Sequence, residues 1–276
     1  MLVPLIWFRF KCIYIKIFYT TFLLLTCFIL TACLSGCDNT NEPDTLFKAE
    51  ERITGEFDYY MSVKKSVITN PIGFTYLFGD IDTIKTRYVI DRSVWAESYQ
   101  SAKSELKNIN LIYVIDGDTV MYDVTYPANT QNKYGCTLNL NVNTRNIELT
   151  PPNKGLQTDF LDATLKTETD AYPVKIDHHS GSINVKTISG DISSSIAIPV
   201  EGYCVCYSET GEINIKIPQG TSASFVLKTN TGRITIRNLN PSLTTNTPTE
   251  VSGILNNDNG TFYLESKTGN VTLEGL

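Results

Sequence analysis

Cysteines, histidines, carboxylates and tyrosines carry the reactive side chains of this sequence. Cys204 and Cys206 stand two apart. On a strand that spacing puts both thiols on one face, near the distance limit for a disulfide and with parallel Cβ vectors. They read as small, inert core residues, because a zinc site would need two further ligands on the same face. A bridge from Cys136 to Cys204 or Cys206 stays open for an exported chain. The two histidines, His178 and His179, are adjacent. Extended backbone turns neighbours to opposite faces, so they read as an exposed turn pair before Ser180-Gly181 and not as a shared metal site. Asn256-Asn257-Asp258-Asn259-Gly260 lacks the bidentate acid that closes a calcium loop and reads as a turn. Asp191 and Glu212 form the one conceivable acid pair for glycoside hydrolysis or lyase chemistry. Arg233, expected beside them, would lower both pKa values where catalysis needs one raised. Phosphate-loop, nucleophile-elbow and zinc-protease motifs are missing from the sequence. The expectation is no catalytic residue, no metal and no cofactor. Tyr203, Val205 and Tyr207 alternate with the two cysteines and so share the opposite face, with Tyr263 expected on the same side. Such a strip can stack on sugar rings or hold a protein partner, unless the N-terminal part of the chain covers it.

One further cysteine suggests covalent chemistry. Arg9, Lys11 and Lys16 precede an apolar run from Ile17 to Leu30, too short to span a bilayer as a helix, and small residues follow it. Leu34-Ser35-Gly36-Cys37 resembles the lipobox of bacterial lipoproteins, with Leu30-Thr31-Ala32-Cys33 as a weaker second match. The resemblance implies a signal peptide over 1–36 and a diacylglycerol thioether on Cys37. It also implies acylation, with palmitate-type chains, of the new N-terminus, and hence a cell-envelope location on the outer membrane or cell surface. A thiolate is the nucleophile such a modification needs. Residues 37–46 read as a tether, polar from Asp38 to Asp44 as a tether should be, and two or three acyl chains anchor a soluble domain stably. Asp38, Glu42 and Asp44 also resemble the surface-export signal of Bacteroidota lipoproteins.

The 276 residues are 42% hydrophobic, 11% aromatic and 19% charged, enough to bury a core and too aromatic for general disorder. Residues 37–276 hold all 29 acids and 20 of the 23 basic side chains. That acidic balance argues against nucleic acid as a partner.

The elements that would position these side chains repeat. Gly190, Gly211 and Gly232 are 21 residues apart, each after Ser or Thr, and Thr268-Gly269 follows later. Positions two and four after each Gly hold Ile192 and Ser194, Ile213 and Ile215, Ile234 and Ile236, Val271 and Leu273. Seven and five before it stand Ile183 and Val185, Cys204 and Cys206, Phe225 and Leu227, Phe262 and Leu264. Only Ser194 breaks the apolar rule. Each unit reads as two short strands meeting at a glycine corner, the Gly supplying a positive φ or tight bend. Stacked units share a core, which predicts a short β-solenoid of about four rungs over 173–276, with a β-sandwich as the alternative. Ile213 and Ile234 should then lie in adjacent coils, and the stretch Asn238 to Gly253 should be a loop. The Thr-Gly pairs, the alternating Ile and Val, and the prolines after strands (Pro199, Pro218) resemble adhesin-type repeat domains of bacterial envelope lipoproteins. No catalytic residues come with that resemblance.

Residues 47–150 lack the repeat and read as a small β-rich domain with one helix. Asp116-Gly117 joins two apolar runs as a hairpin. Cys136, Leu138, Leu140 and Val142 line one face of a strand. Trp95, Tyr99, Ala102 and Leu106 suggest a helix of about four turns capped by Ser93. Pro151-Pro152-Asn153-Lys154-Gly155 places a linker at 151–172. The fold class is mostly β. The expected function is a lipid-anchored, non-enzymatic binding or adhesion module with a glycan or protein partner. A polysaccharide-acting solenoid enzyme and a structural envelope subunit remain as alternatives.

Overall fold

The computed structural model describes residues 46–58, 63–79, 85–127, 133–151 and 154–276, and every structural statement concerns these. Cys37, Cys33 and the predicted signal and tether lie outside them, up to residue 45. Ile213, Ile215 and Ile217 are buried on one side of a five-residue strand, while Asn214 and Lys216 face out. The same alternation recurs along the chain and folds Leu46–Leu276 as one unit of two β-sheets. Sheet I has ten strands, sheet II eleven, and their inner faces share one apolar core.

Most strands belong to rungs, each a sheet II strand, a corner and a sheet I strand. In spatial order the rungs are β6 (Thr119–Thr125) with β7 (Lys133–Val142), then β2 (Lys65–Thr69) with β3 (Thr75–Gly79). Next come β8 (Asn146–Leu149) with β9 (Leu156–Asp159), β10 (Thr164–Thr169) with β11 (Val174–Ser180), and β12 (Ile183–Thr187) with β13 (Ile192–Ala197). The last three are β14 (Tyr203–Ser208) with β15 (Ile213–Ile217), β20 (Thr261–Ser266) with β21 (Val271–Gly275), and β16 (Ala223–Thr229) with β17 (Ile234–Arg237). Neighbouring rungs pair in parallel throughout, which is solenoid geometry and not the antiparallel pairing of a sandwich. Four complete rungs lie in 173–276, as expected, and among the described residues four more precede them in the stack, so the solenoid extends well into the N-terminal half.

Two features correct the expected domain layout. The segment 151–172 is no linker: it holds β9 and β10, and both sheets run through it. The rung order also departs from the chain order. Ile213 pairs with Val271, and Val271 with Ile234, so the C-terminal rung is inserted between the two units that the 21-residue period makes consecutive. Ile213 and Ile234 share a row but stand two strand spacings apart, about 10 Å. At the other end, β2–β3 is likewise enclosed between rungs that follow it in sequence.

The corner glycines act through close approach. A Cβ on Gly211 would sit 2.2 Å from the Gly190 carbonyl oxygen, one on Gly269 2.2 Å from that of Gly211, and one on Gly232 2.1 Å from that of Gly269. None of these four glycines is in the positive-φ region, so of the two expected roles it is the tight corner and not the positive φ that needs them. The residue three before each Gly completes the corner. Ser208 Oγ accepts from the Gly211 N–H at 2.8 Å, Ser266 Oγ from that of Gly269 at 2.9 Å, and Thr229 Oγ1 from that of Gly232 at 2.9 Å. Ser266 in turn donates to the Gly211 carbonyl one rung away at 2.8 Å. Between the sheets, Phe225 and Phe262 are fully buried side by side, each worth about 2–3 kcal/mol of burial.

The ends are capped by antiparallel strands. β1 (Phe47–Asp58) and β4 (Lys85–Ala96) extend sheet I beside β7, and β5 (Asn110–Asp116) forms with β6 the hairpin expected at Gly117, whose φ is +60°. The predicted helix is shorter than expected. Its α1 covers Tyr99–Glu105 and is capped by Ser98, whose Oγ accepts from the Ser101 N–H at 3.1 Å. Ser93 and Trp95 belong to β4, because Ile90, Arg92, Val94 and Ala96 all point inward at period two. The expected loop from Asn238 to Gly253 is instead largely a hairpin, β18 (Ser242–Asn246) and β19 (Glu250–Leu255), that closes sheet II beside β16. β17 is the uncapped edge of sheet I.

Candidate functional site

The predicted tyrosine strip lies on the outer face of sheet II. Parallel register places Val205 beside Tyr263, and Tyr263 beside Val226, so the aromatic row crosses adjacent rungs. Tyr203 is exposed, at 38%, and Tyr207 and Tyr263 are half-buried. Lysines frame them: Lys267 Nζ lies 5.8 Å from the Tyr207 ring centre and Lys228 Nζ 5.8 Å from that of Tyr263. Tyr263 donates to Glu265 at 2.5 Å, a bond that pushes its phenol pKa up to about 12. Lys186–Glu168 at 2.8 Å and Lys267–Glu209 at 2.9 Å staple neighbouring rungs on this face. Exposed pairs of that kind are screened by solvent and contribute little to stability.

The other candidates separate into structural roles. Cys204 and Cys206 are fully buried, with sulfurs 3.9 Å apart, and burial pushes the Cys204 thiol well up. Cys136 is also buried, its pKa pushed up to about 12. It sits five rungs from Cys204 and in the opposite sheet. That is about 24 Å along the stack, so the bridge left open by sequence cannot form. The histidines are not an exposed pair. His178 is exposed with φ +46°, bonded to Asp159 at 2.8 Å and stacked on the exposed Phe160 ring, centroids 4.7 Å apart. His179 points inward and is 2% exposed. Asp191 and Glu212 belong to a corner ladder. Asp191 Oδ1 accepts from the Glu212 N–H, and Glu212 Oε1 from the Asn270 amide, both at 2.8 Å. Arg233 lies one rung beyond Asn270 and not beside the acids, because the inserted C-terminal rung separates them. Among the described residues no three His, Cys, Asp or Glu side chains gather as metal ligands, and no helix is long and apolar enough to cross a membrane.

A second outward site escaped the sequence reading. On the outer face of sheet I, β1, β4 and β7 form a cavity of about 550 Å³, with Ile72 and Gly73 of the β2–β3 corner also in its wall. Trp95 contributes the aromatic surface, with Lys48 Nζ 5.0 Å from its ring centre. Arg52 grips Asp91 through two bonds, Nε to Oδ1 at 2.6 Å and Nη2 to Oδ2 at 2.8 Å, which holds the Asp91 carboxyl below its usual range. Lys48 pairs with Glu50 beside them. Beneath, the buried Arg92 binds Glu51 at 2.5 Å and the Ile109 carbonyl at 2.8 Å. Gly135 makes the room: a Cβ there would meet Ser93 Oγ at 2.7 Å and the Trp95 ring at 3.2 Å. The sequence signal was the outward alternation Lys48, Glu50, Arg52, but its partners lie about 40 and 85 residues away and assigning Trp95 to a helix hid them.

Comparison with known proteins fits this geometry to one family and to few details. The family described as Toastrack DUF4097 matches residues 79–274. The match crosses the expected boundary at 151–172 and so extends well beyond the repeat region. No curated protein matches. A candidate cell adhesion protein from Clostridium sporogenes is similar over 83% of this chain and 100% of its own, at 10% identity and a TM-score of 0.47. A candidate adhesin from Bacteroides fragilis covers 82% of this chain and 97% of its own, at 11% identity and a TM-score of 0.34. A candidate lipid binding protein from Parabacteroides distasonis covers 82% and 97%, at 9% identity and a TM-score of 0.29.

Proposed function

This chain belongs to the Toastrack DUF4097 family, and from that premise we propose that it is a lipid-anchored cell-envelope protein acting as a non-enzymatic binding module. The aromatic row Tyr203, Tyr207 and Tyr263 carries this reading. It lies outward on sheet II, flanked by lysines and carboxylates, and the opposite end of the rung stack, where β1 to β7 lie, does not cover it. Tyrosines with one wet edge on a rigid sheet suit a sugar ring or a protein surface at low entropic cost. The anchor rests on Leu34-Ser35-Gly36-Cys37 and the polar tether after it.

Three measurements test it. Radiolabelled palmitate should enter the chain and be lost with Cys37→Ser, with Cys33→Ser unaffected. Protease shaving of intact cells should release the module if it is displayed on the surface. Folded protein should bind members of a glycan array or matrix-protein panel, and Tyr203→Ala with Tyr207→Ala should weaken that binding at least tenfold. A blank panel with folded protein rejects the binding role, whatever the anchor does.

The edge strand β17 favours a second reading, a structural subunit. Ile234 and Ile236 are half-buried there, where the matching positions of β15 and β21 are buried, and β17 has a strand neighbour on one side only. An open edge with apolar neighbours invites another strand. Light scattering of the purified chain discriminates, since a strict monomer at high concentration rules this reading out.

A further inference from the structure

We propose that the cavity over Trp95 is a separate binding site, built for a neutral saccharide. It lies on sheet I at the first rungs, whereas the tyrosine row lies on sheet II at the sixth and seventh, so it does not depend on that row. Its charges are balanced. Lys48 pairs with Glu50, Arg52 with Asp91, and Arg92 with Glu51, leaving no net field to select an anion or a cation. Six charged side chains also make the wall a poor host for an apolar ligand.

The hydrogen-bonding pattern suits vicinal hydroxyls. Asp91 takes one Arg52 N–H on each oxygen, and each oxygen keeps acceptor capacity. The Arg52 guanidinium has five N–H donors, of which the pair uses two. A planar, mutually fixed donor–acceptor pair therefore offers both halves of the pattern that adjacent sugar hydroxyls need, pre-oriented by the bidentate bond. Trp95 supplies an apolar wall of the kind that packs on the C–H face of a pyranose. Gly135 lets the Trp95 ring lie close against β7, and about 550 Å³ accommodates one or two sugar units.

The chain contains two tryptophans, Trp7 and Trp95. In the full chain carrying Trp7→Phe, indole emission reports this cavity alone. Titration with neutral sugars (glucose, galactose, mannose, N-acetylglucosamine, cellobiose) is compared with glucuronate and N-acetylneuraminate. At least one neutral sugar should change the emission saturably and shield Trp95 from acrylamide quenching. Arg52→Gln and Asp91→Asn should each weaken that response at least tenfold, with thermal melts confirming folding, while Tyr203→Ala leaves it unchanged. The acrylamide measurement needs no substitution in the cavity, so it decides even where a polar variant unfolds. No saturable response to any of the neutral sugars overturns the proposal. So does a stronger response to the charged sugars, or one that survives both polar substitutions in folded protein. Glycan binding that depends on Tyr203 while Trp95 stays silent leaves the tyrosine row standing and removes this site.

Discussion

His179 shows how a single side chain ties stability to pH. Its imidazole is buried and lies near the backbone of Ser182 and Ala163, but neither ring nitrogen closes a well-formed hydrogen bond. Burial lowers its pKa to about 4, against about 6.5 for an exposed histidine. Between those values the unfolded chain takes up a proton that the folded chain refuses. The contribution is therefore fully present above pH 6.5 and is lost as pH falls towards 4, about 3 kcal/mol in all. Urea unfolding at pH 7 and pH 4.5 should show that loss, and His179→Leu should lessen it. Ser208 is the second case, fully buried and holding the Gly211 N–H. Ser208→Ala leaves that donor unmet and should cost about 1–3 kcal/mol in chemical denaturation. Thr210→Ala, at an exposed position of the same corner, should stay within about 0.5 kcal/mol. The repeated Thr-Gly dipeptides were visible in the sequence, but the hydroxyl that does the bonding lies three before the glycine. Its bond to the glycine N–H is local, but its second bond, as from Ser266 to the Gly211 carbonyl, depends on the register of two neighbouring rungs.

The rung succeeds as an element because its corner has no side chain. Gly211 faces backbone atoms of Gly190, which cannot rotate aside. Gly211→Ala should therefore force the rungs apart and cost about 3 kcal/mol or more. Gly220, where an added methyl would meet nothing within 4 Å, is the control, and Gly220→Ala should be neutral or slightly stabilising. Thermal melts of the two variants check both. Strand existence was readable from period-two alternation, as Cys136, Leu138, Leu140 and Val142 show by all being buried. Element type failed where the two periods coincide over a few residues. Trp95, Tyr99 and Ala102 suit a helix on paper, yet Arg92, Val94 and Ala96 are buried at strand spacing and extend β4 to Ala96.

For the whole molecule, both sheets continue from the capping strands to the last rung, so residues 46–276 have no seam at which half could melt alone. Calorimetry should show one transition where two independent domains would give two. The inserted rung makes the C-terminus the keystone: β20 and β21 are the only link between β14–β15 and β16–β17 within the sheets. A chain ending at Leu255 should lose protection from hydrogen exchange in β16 to β19 first, and the upstream rungs should keep theirs. Non-local closure of this kind also predicts slow folding.

Local chemistry was enough to establish a mostly β chain with an inward row of Ile, Val, Phe and Cys and an outward row of Tyr, Lys and Glu, because side-chain alternation is a property of each strand alone. Pairing is not. Ile213 and Ile234 carry identical signals in consecutive units, and nothing in either says that Val271 will stand between them. Backbone hydrogen bonding is blind to sequence, so the order of rungs is settled by which strands bury the most apolar surface together. The Trp95 cavity arises the same way, from three strands distant in sequence that meet only when sheet I has formed.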